Sequence, residues 1–329
     1  MQSKLTDGLF HYWGKADPSY PHKQKWHPLA YHSLDVAACC HVLLKRHPEW
    51  LKTLARLSGI APAILADWLV FLLAIHDVGK FGEGFQSLRP DLQQELQGHV
   101  ANVAYDVRHD TLGYALLMAR LPDWLESPEL AHRGGGLLRL WAASVTGHHG
   151  RPPKNQGLNA LVSRHFPADP VLNDVAAFVS GVRSLLLPAD WTPPPRADGA
   201  LERYKQTSWL LAGLAVLADW LGSNTEWFKY RSADMSLVDY WQRIALPNAE
   251  TAVIESGLAG SIPGVELTFA RIFPHIETPT PLQIWANEVA IASEPQLFVL
   301  EELTGGGKTE AALTLAARLM AKGCGHGLY

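Results

Sequence analysis

From about Pro28 to Ser223, apolar residues recur at three- and four-residue spacing, and alternating apolar-polar runs are almost absent. A strand would repeat every second residue, so this segment is restricted to packed helices. Candidate helices are Leu29 to Lys45, Pro62 to His76, Thr111 to Ala119, Gly136 to Thr146, Val171 to Leu186 and Leu201 to Leu221. Breakers fall between them at Gly82 and Gly84, Arg151 to Pro153, and Pro188 to Pro195. The last run reads as a surface loop inside the domain, because the helix after it still carries a site candidate.

After about Asn248 the character changes. Phe298 to Glu301 reads as a short strand, Gly305 to Gly307 as a glycine-rich turn, and Lys308 to Met320 as an amphipathic helix. Strand, loop and helix in that order open a nucleotide-binding α/β domain. The expected division is residues 1–250 and 251–329, with Tyr329 falling one helix into the second domain. The 329 residues at 47% hydrophobic content can fill one large core or two. Charged residues are 18% and the net charge is -4, which excludes a broadly basic nucleic-acid-binding surface, so any such binding is local or assisted. The longest apolar stretches, Trp68 to Ile75 and Leu210 to Ala218, fall short of a membrane span and no signal-peptide pattern is present. The expectation is a cytoplasmic chain with no membrane partner. Cys39, Cys40 and Cys324 are odd in number and poorly spaced for disulfides or a structural zinc site, and read as buried small hydrophobes.

The 15 histidines are a heavy load for this length. In Phe71 to Lys80, FLLAIHDVGK, an apolar helical run ends in His76 and Asp77. A buried unpaired carboxylate there costs on the order of several kcal/mol, and a metal ion would offset it; taken alone, the pair is more simply a helix emerging into solvent. Asp219 is the only charge in LLAGLAVLADWLGS, a run that reads as buried on every side. TGHHG places His148 and His149 between glycines at a helix end, where they could equally be a solvated loop pair. His32 lies on a partly buried helix and His109 opens another; each by itself could be a hydrogen-bonded core histidine. Together, the imidazoles and carboxylates suit a pair of divalent first-row metals, with Asp77 as the bridging ligand. Such a pair activates water and clamps both oxygens of a phosphodiester displacement. Imidazole-rich coordination favours Mn, Fe, Co, Ni or Zn over Mg. Lys80, one turn beyond His76, could hold a phosphate oxygen or the water by its charge, or be a solvated lysine.

The order His32, His76-Asp77 with Lys80, His109, His148-His149, Asp219 resembles the HD phosphohydrolase superfamily. HYWGKADP from His11 to Pro18, HPLAYHSLDVAA, AIHDVGKF, VTGHHG and LADWLGSN are similar to the nuclease domain of the CRISPR-associated nuclease-helicases of type I interference, most closely the type I-E branch. VLEELTGGGKTEAALTLAARL resembles the start of that family's superfamily 2 helicase domain. The resemblance implies a mainly α HD-superfamily domain followed by the truncated start of a RecA-like α/β helicase domain. It implies one metal held by His32, His76, Asp77 and Asp219 and a second by Asp77, His109, His148 and His149, with Lys80 as the lysine beside the HD pair. It also implies metal-dependent nicking and exonucleolytic shortening of single-stranded DNA after recruitment by an RNA-guided surveillance complex, with ATP-driven translocation feeding the site.

Thr304, Gly305, Gly306, Gly307, Lys308 and Thr309 can cradle the phosphates and magnesium of ATP at a helix N-terminus. The first glycine of the longer phosphate-loop pattern is replaced by Glu302, and Glu302 and Leu303 stand where such helicases commonly have alanine and proline. Gln283 resembles an adenine-reading glutamine. Without a downstream acidic motif and second-lobe arginines, residues 1–329 are not expected to act as an ATPase or helicase. Two other readings compete with the nuclease: a phosphohydrolase of nucleotides or cyclic nucleotides, and a noncatalytic module that docks on the surveillance complex. A nuclease working on single strands needs aromatic platforms and local positive charge, for which Arg151, Lys154 and Trp220 are candidates; most of the 12 tryptophans are expected in the core.

Overall fold

A computed structural model of the chain describes residues 8–17, 19, 25–128, 130, 135–194, 199–259, 267–292, 294 and 296–324. Pro18, Pro195 and Tyr329, used in the sequence reading, lie outside them. The chain divides into two compact units, Met1–Ala259 and Gly260–Tyr329.

Among its described residues the first unit has helices and a small hairpin of β1 (Trp13–Ala16) and β2 (Trp26–Pro28), paired antiparallel. Its main helices are α1 (Leu29–Arg46), α2 (Pro48–Ser58), α3 (Pro62–Ala74), α4 (Pro90–Gln97), α5 (His109–Trp124), α6 (Gly135–Thr146), α7 (Leu158–His165), α8 (Asn173–Leu186), α9 (Ala200–Gly222) and α10 (Leu246–Glu255). Proline at the first position of α2, α3 and α4 starts those helices where no donor is lost. Six of these helices coincide with the runs expected from apolar spacing, and α2, α4, α7 and α10 lie outside those runs. Helix α3, expected to run to His76, ends as regular helix at Ala74. There the Ile75 and His76 N–H groups donate to carbonyls three residues back, at 3.2 and 3.3 Å, and a 3-10 turn, Val78–Phe81, follows.

Helix α1 is buried almost throughout and is packed by α3, α9 and α10. Helix α3 is apolar nearly all round, as a core helix should be. Contrary to the expectation that no apolar stretch approaches a membrane span, Pro62–Phe81 is long and apolar enough to cross one, yet 72% of its most apolar window is buried inside the protein. Helix α9 also departs from expectation. Leu211, Leu214, Ala215 and Ala218 face inward, but Trp209 is 84% and Trp220 71% exposed, so the helix is not buried on every side. Most other tryptophans pack inward, and Trp191, from the proline-rich loop, stacks on the buried Trp68. Cys39 and Cys40 are buried as expected, while Cys324 is exposed.

In the second unit, α11 (Pro281–Glu288) packs on α12 (Lys308–Ala321) around Ala286, Ile291, Ala311 and Leu315. Phe298 to Glu301, expected as a strand, is irregular. A strand exists only when a neighbour accepts its backbone hydrogen bonds, and no described residue pairs with this run.

Candidate metal centre

Two close approaches assemble the centre. A Cβ at Gly222, near the end of α9, would stand 2.8 Å from the Val36 nitrogen, so this glycine lets α9 touch the α1 backbone and brings Asp219 to His32. A Cβ at Gly79 would collide with the His109 carbonyl, so glycine lets the turn after His76-Asp77 press against the first residue of α5. His32, His76, Asp77, His109, His148 and Asp219 thereby converge, and His149 joins them from the solvent side.

Asp77 occupies the middle with its two oxygens facing different partners. Its Oδ2 lies 3.2 Å from His32 Nε2, 3.4 Å from His76 Nε2 and 2.6 Å from Lys80 Nζ. Its Oδ1 faces His109 Nε2 at 3.5 Å and His148 Nε2 at 3.7 Å. Asp219 Oδ1 stands 3.8 Å from His32 Nε2 and 3.7 Å from His76 Nε2. On the other side the Nε2 atoms of His109 and His149 approach to 2.9 Å. Among the described residues, three triads have ligand atoms all within 4.8 Å of one another: His32, His76 and Asp219; His76, Asp77 and His148; and His109, His148 and His149.

Contacts behind the rings aim them. His76 Nδ1 contacts the Leu73 carbonyl at 2.7 Å and His148 Nδ1 the Val145 carbonyl at 3.0 Å, so each ring donates its Nδ1–H backward and turns Nε2 inward. Tyr105 OH lies 2.9 Å from His109 Nδ1 and accepts the His109 backbone N–H. Ser223 donates to Asp219 Oδ1 at 2.9 Å. Sequence reasoning missed Tyr105 and Ser223; each stands four residues from a predicted ligand, a spacing that helical geometry would have flagged only for Ser223.

Burial lowers the pKa of His32 well below its usual value, and the Lys15 charge adds to this. Burial likewise lowers His109 to about 3 and His148 to about 4, against the pull of Asp77. His76 is the exception: burial works against its charged form, but Asp77 and Asp219 outweigh it and raise the pKa to about 9. Burial would raise both carboxyls, yet Lys80 and His76 hold Asp77, and His76 holds Asp219, well below the carboxylate range. The neutral imidazoles of His32, His109 and His148 and the two ionised carboxylates are in the protonation states a cation requires, and His76 would have to give up its proton. His76 Nε2 and Asp77 Oδ1 are fully buried without a hydrogen bond among the described residues. Leaving such atoms unsatisfied costs about 1–3 kcal/mol each, and a cation between them would meet both. The donor set therefore fits divalent metal.

Lys80 is not solvated. It is buried, pairs with Asp77, and donates to the Gly14 carbonyl at 3.4 Å. Of the groove candidates, Trp220 is exposed beside Asp219, and Arg151 and Lys154 are exposed beyond His149. Arg151 and Trp209 line a groove of about 460 Å³ between α6 and α9.

The phosphate-loop candidates lie in the second unit and are described by themselves. Gly305 and Gly307 have φ of +84° and +78°, and Gly307 caps α12, which begins at Lys308. Lys308 Nζ donates to the Leu303 carbonyl at 2.8 Å. Gln283 completes the capping box of α11 with Thr280 and reaches the Gly307 carbonyl at 3.4 Å. Glu302 lies against Gly306, so its anionic side chain is at the loop.

Residues 13–228 match the family described as "Cas3, HD domain". The chain is 27% identical to the CRISPR-associated endonuclease/helicase Cas3 of Escherichia coli (strain K12) across 95% of this chain and 37% of that one. Among solved structures it is similar to T. fusca Cas3-ATP, with TM-score 0.70, 25% identity, and coverage of 95% of this chain and 34% of that one. It is also similar to the Thermus thermophilus cas3 HD domain in the presence of Ni2+, with TM-score 0.52, 25% identity, and coverage of 76% and 90%. The chain spans about a third of the length of the curated relatives it matches.

Proposed function

Because this chain belongs to the Cas3 HD-domain family, we propose that it is a metal-dependent nuclease of CRISPR interference that hydrolyses single-stranded DNA at a two-metal centre. The observation carrying this reading is the division of Asp77: one oxygen toward His32 and His76, the other toward His109 and His148. On this reading His32, His76, Asp77 and Asp219 would hold one divalent ion, and Asp77, His109, His148 and His149 the other. When bound, such ions, drawn from Mn, Fe, Co, Ni or Zn, would lower the pKa of water and stabilise charge developing on the phosphodiester.

The residues of the chain do the rest. Lys80 fixes the Asp77 carboxylate in its ionised form, and Leu73, Val145 and Tyr105 hold three imidazoles in the orientation that presents Nε2. His76 must release its proton as metal loads. His149 is exposed, so the centre opens to solvent on that side. An open face suits a polymer better than the closed pocket a nucleotide phosphohydrolase needs. Trp209 and Trp220, eleven residues apart on α9, are both exposed on the side where Arg151 lies by Trp209; they offer stacking surfaces and charge for unpaired bases and backbone. Recruitment by the RNA-guided surveillance complex, and ATP binding by Thr304 to Thr309 in the second unit, are part of the same proposal and rest on family membership and on the glycine loop.

The test is direct. The chain is loaded with Mn2+, its metal content is measured, and circular single-stranded DNA is offered beside free nucleotides. Cleavage of DNA with two ions per chain is expected. Hydrolysis of nucleotides alone would make it a small-molecule phosphohydrolase, and absence of bound metal would make it a docking module. Asp77→Ala is expected to lower cleavage by roughly a hundredfold or more; full retention would refute the bridging role.

A further inference from the structure

Lys80, the lysine of the HD turn, is committed to Asp77 and the Gly14 carbonyl. A nonbridging phosphate oxygen that is not taken by the metal ions therefore has to find a cation other than Lys80. We infer that Lys15 is that cation: a phosphate-binding residue whose ammonium takes a nonbridging oxygen of the scissile phosphodiester on the side of His32 and Asp219. The inference rests on the nuclease reading above.

Lys15 lies in β1, directly after a break in the hairpin register. Trp13 is opposite Pro28 but Lys15 is opposite His27, so one extra residue, Gly14, is accommodated as a bulge. Bulges redirect the side chain that follows and recur beside active sites. Glycine is required here, because a Cβ at Gly14 would stand 2.8 Å from Leu29 Cα at the start of α1. The strand is held firmly in place. Gln86, completely buried, donates to the carbonyls of Trp13 and Lys80 at 3.0 and 2.7 Å and accepts from the Trp13 N–H at 3.3 Å. The edge that carries Lys15 is thus bolted to the turn that carries Asp77.

The Gly14 carbonyl beside it lies 3.4 Å from Lys80 Nζ, which itself lies 2.6 Å from Asp77 Oδ2, so Lys15 stands next to the centre, where its charge bears on His32, Asp219 and Asp77. Its neighbour of like charge is Lys80. Among the described residues no carboxylate or carbonyl lies within hydrogen-bonding reach of the Lys15 ammonium, although the residue is half-buried. Two lysines brought together, one paired and one not, leave a positive site that an anionic oxygen would satisfy.

The experiment uses the metal-loaded chain with Lys15→Gln and Lys15→Arg. Lys15→Gln is expected to keep its metal content, to lose about tenfold or more in kcat/KM on single-stranded DNA, as for a lost charge-assisted hydrogen bond, and to show a shallower salt dependence of oligonucleotide binding, by about 0.7 in the logarithmic slope. Lys15→Arg should recover most of both. Cleavage and binding within twofold of the unaltered chain would overturn the inference, as would loss of metal in both variants, which would make Lys15 structural. Should the unaltered loaded chain fail to cut DNA, the nuclease reading is what fails. Lys15 is then judged by oligonucleotide binding alone, and equal affinity of the unaltered and Lys15→Gln chains rejects it.

Discussion

Asp77 is surrounded by His32, His76, His109, His148 and Lys80, and in the absence of metal these groups must balance among themselves. Burial keeps His109 and His148 neutral, with pKa values of about 3 and about 4, whereas an unfolded histidine titrates near ~6.5. Their folded pKa values are depressed, so as pH falls below ~6.5 the unfolded chain takes up protons that the folded chain refuses, and stability falls. His76 has the opposite sign: its raised pKa, about 9, contributes stability that is complete below ~6.5 and lost as pH rises through 9. The metal-free chain should therefore lose on the order of 3 kcal/mol between pH 7 and pH 5. Urea titrations at the two values measure this, and equal midpoints would refute the neutral assignment. The identities of these candidate ligands were legible in the sequence, since each is a histidine or aspartate on an apolar run or beside glycines. Lys80 was a candidate too, but its burial against Asp77 was not legible, because a lysine near a helix end looks the same whether it faces water or a carboxylate.

At the scale of elements, the centre depends on how closely helices approach. Gly222 lets α9 lie on the backbone of α1 at Val36, where the obstructing atoms are backbone and cannot swing aside. Gly222→Ala should cost roughly 1–3 kcal/mol, the usual penalty for overpacking, and should also weaken metal binding, because Asp219 lies three residues earlier on the same helix. Denaturation and metal titration of the variant test both, and an unchanged metal affinity would show that α9 can be displaced without moving Asp219. Helix α1 is anchored independently by Asp35, which accepts from Tyr240 OH at 2.9 Å and lies 3.0 Å from His27 Nε2, so His32 should hold its place in that variant. The helices themselves were readable from three- and four-residue spacing. The early end of α3 was not, since FLLAIHDV continues the apolar pattern through the point where the backbone tightens.

For the molecule as a whole, metal that binds only the folded state must stabilise it. At a free concentration a hundred times the dissociation constant, the gain is about 2.7 kcal/mol per site. Addition of Mn2+ should raise the thermal midpoint of the Met1–Ala259 unit, and a chelator should reverse the shift; no shift at saturating metal would contradict the centre. A chain ending at Ala259 is expected to retain that response, because every candidate ligand and its core lie within the first unit. The amino-acid order alone determined that this region is helical, which residues could ligate metal, and where a glycine loop precedes a helix, for these depend on neighbours within a few positions. Only the tertiary structure decided that Asp77 turns one oxygen toward His32 and His76 and the other toward His109 and His148, that Lys80 is buried, that Trp209 and Trp220 face outward, and that the strand carrying Lys15 lies against the turn of Lys80. Those outcomes depend on contacts between residues such as Gly14 and Lys80, or Val36 and Gly222, far apart along the chain, and packing rather than local preference sets such distances.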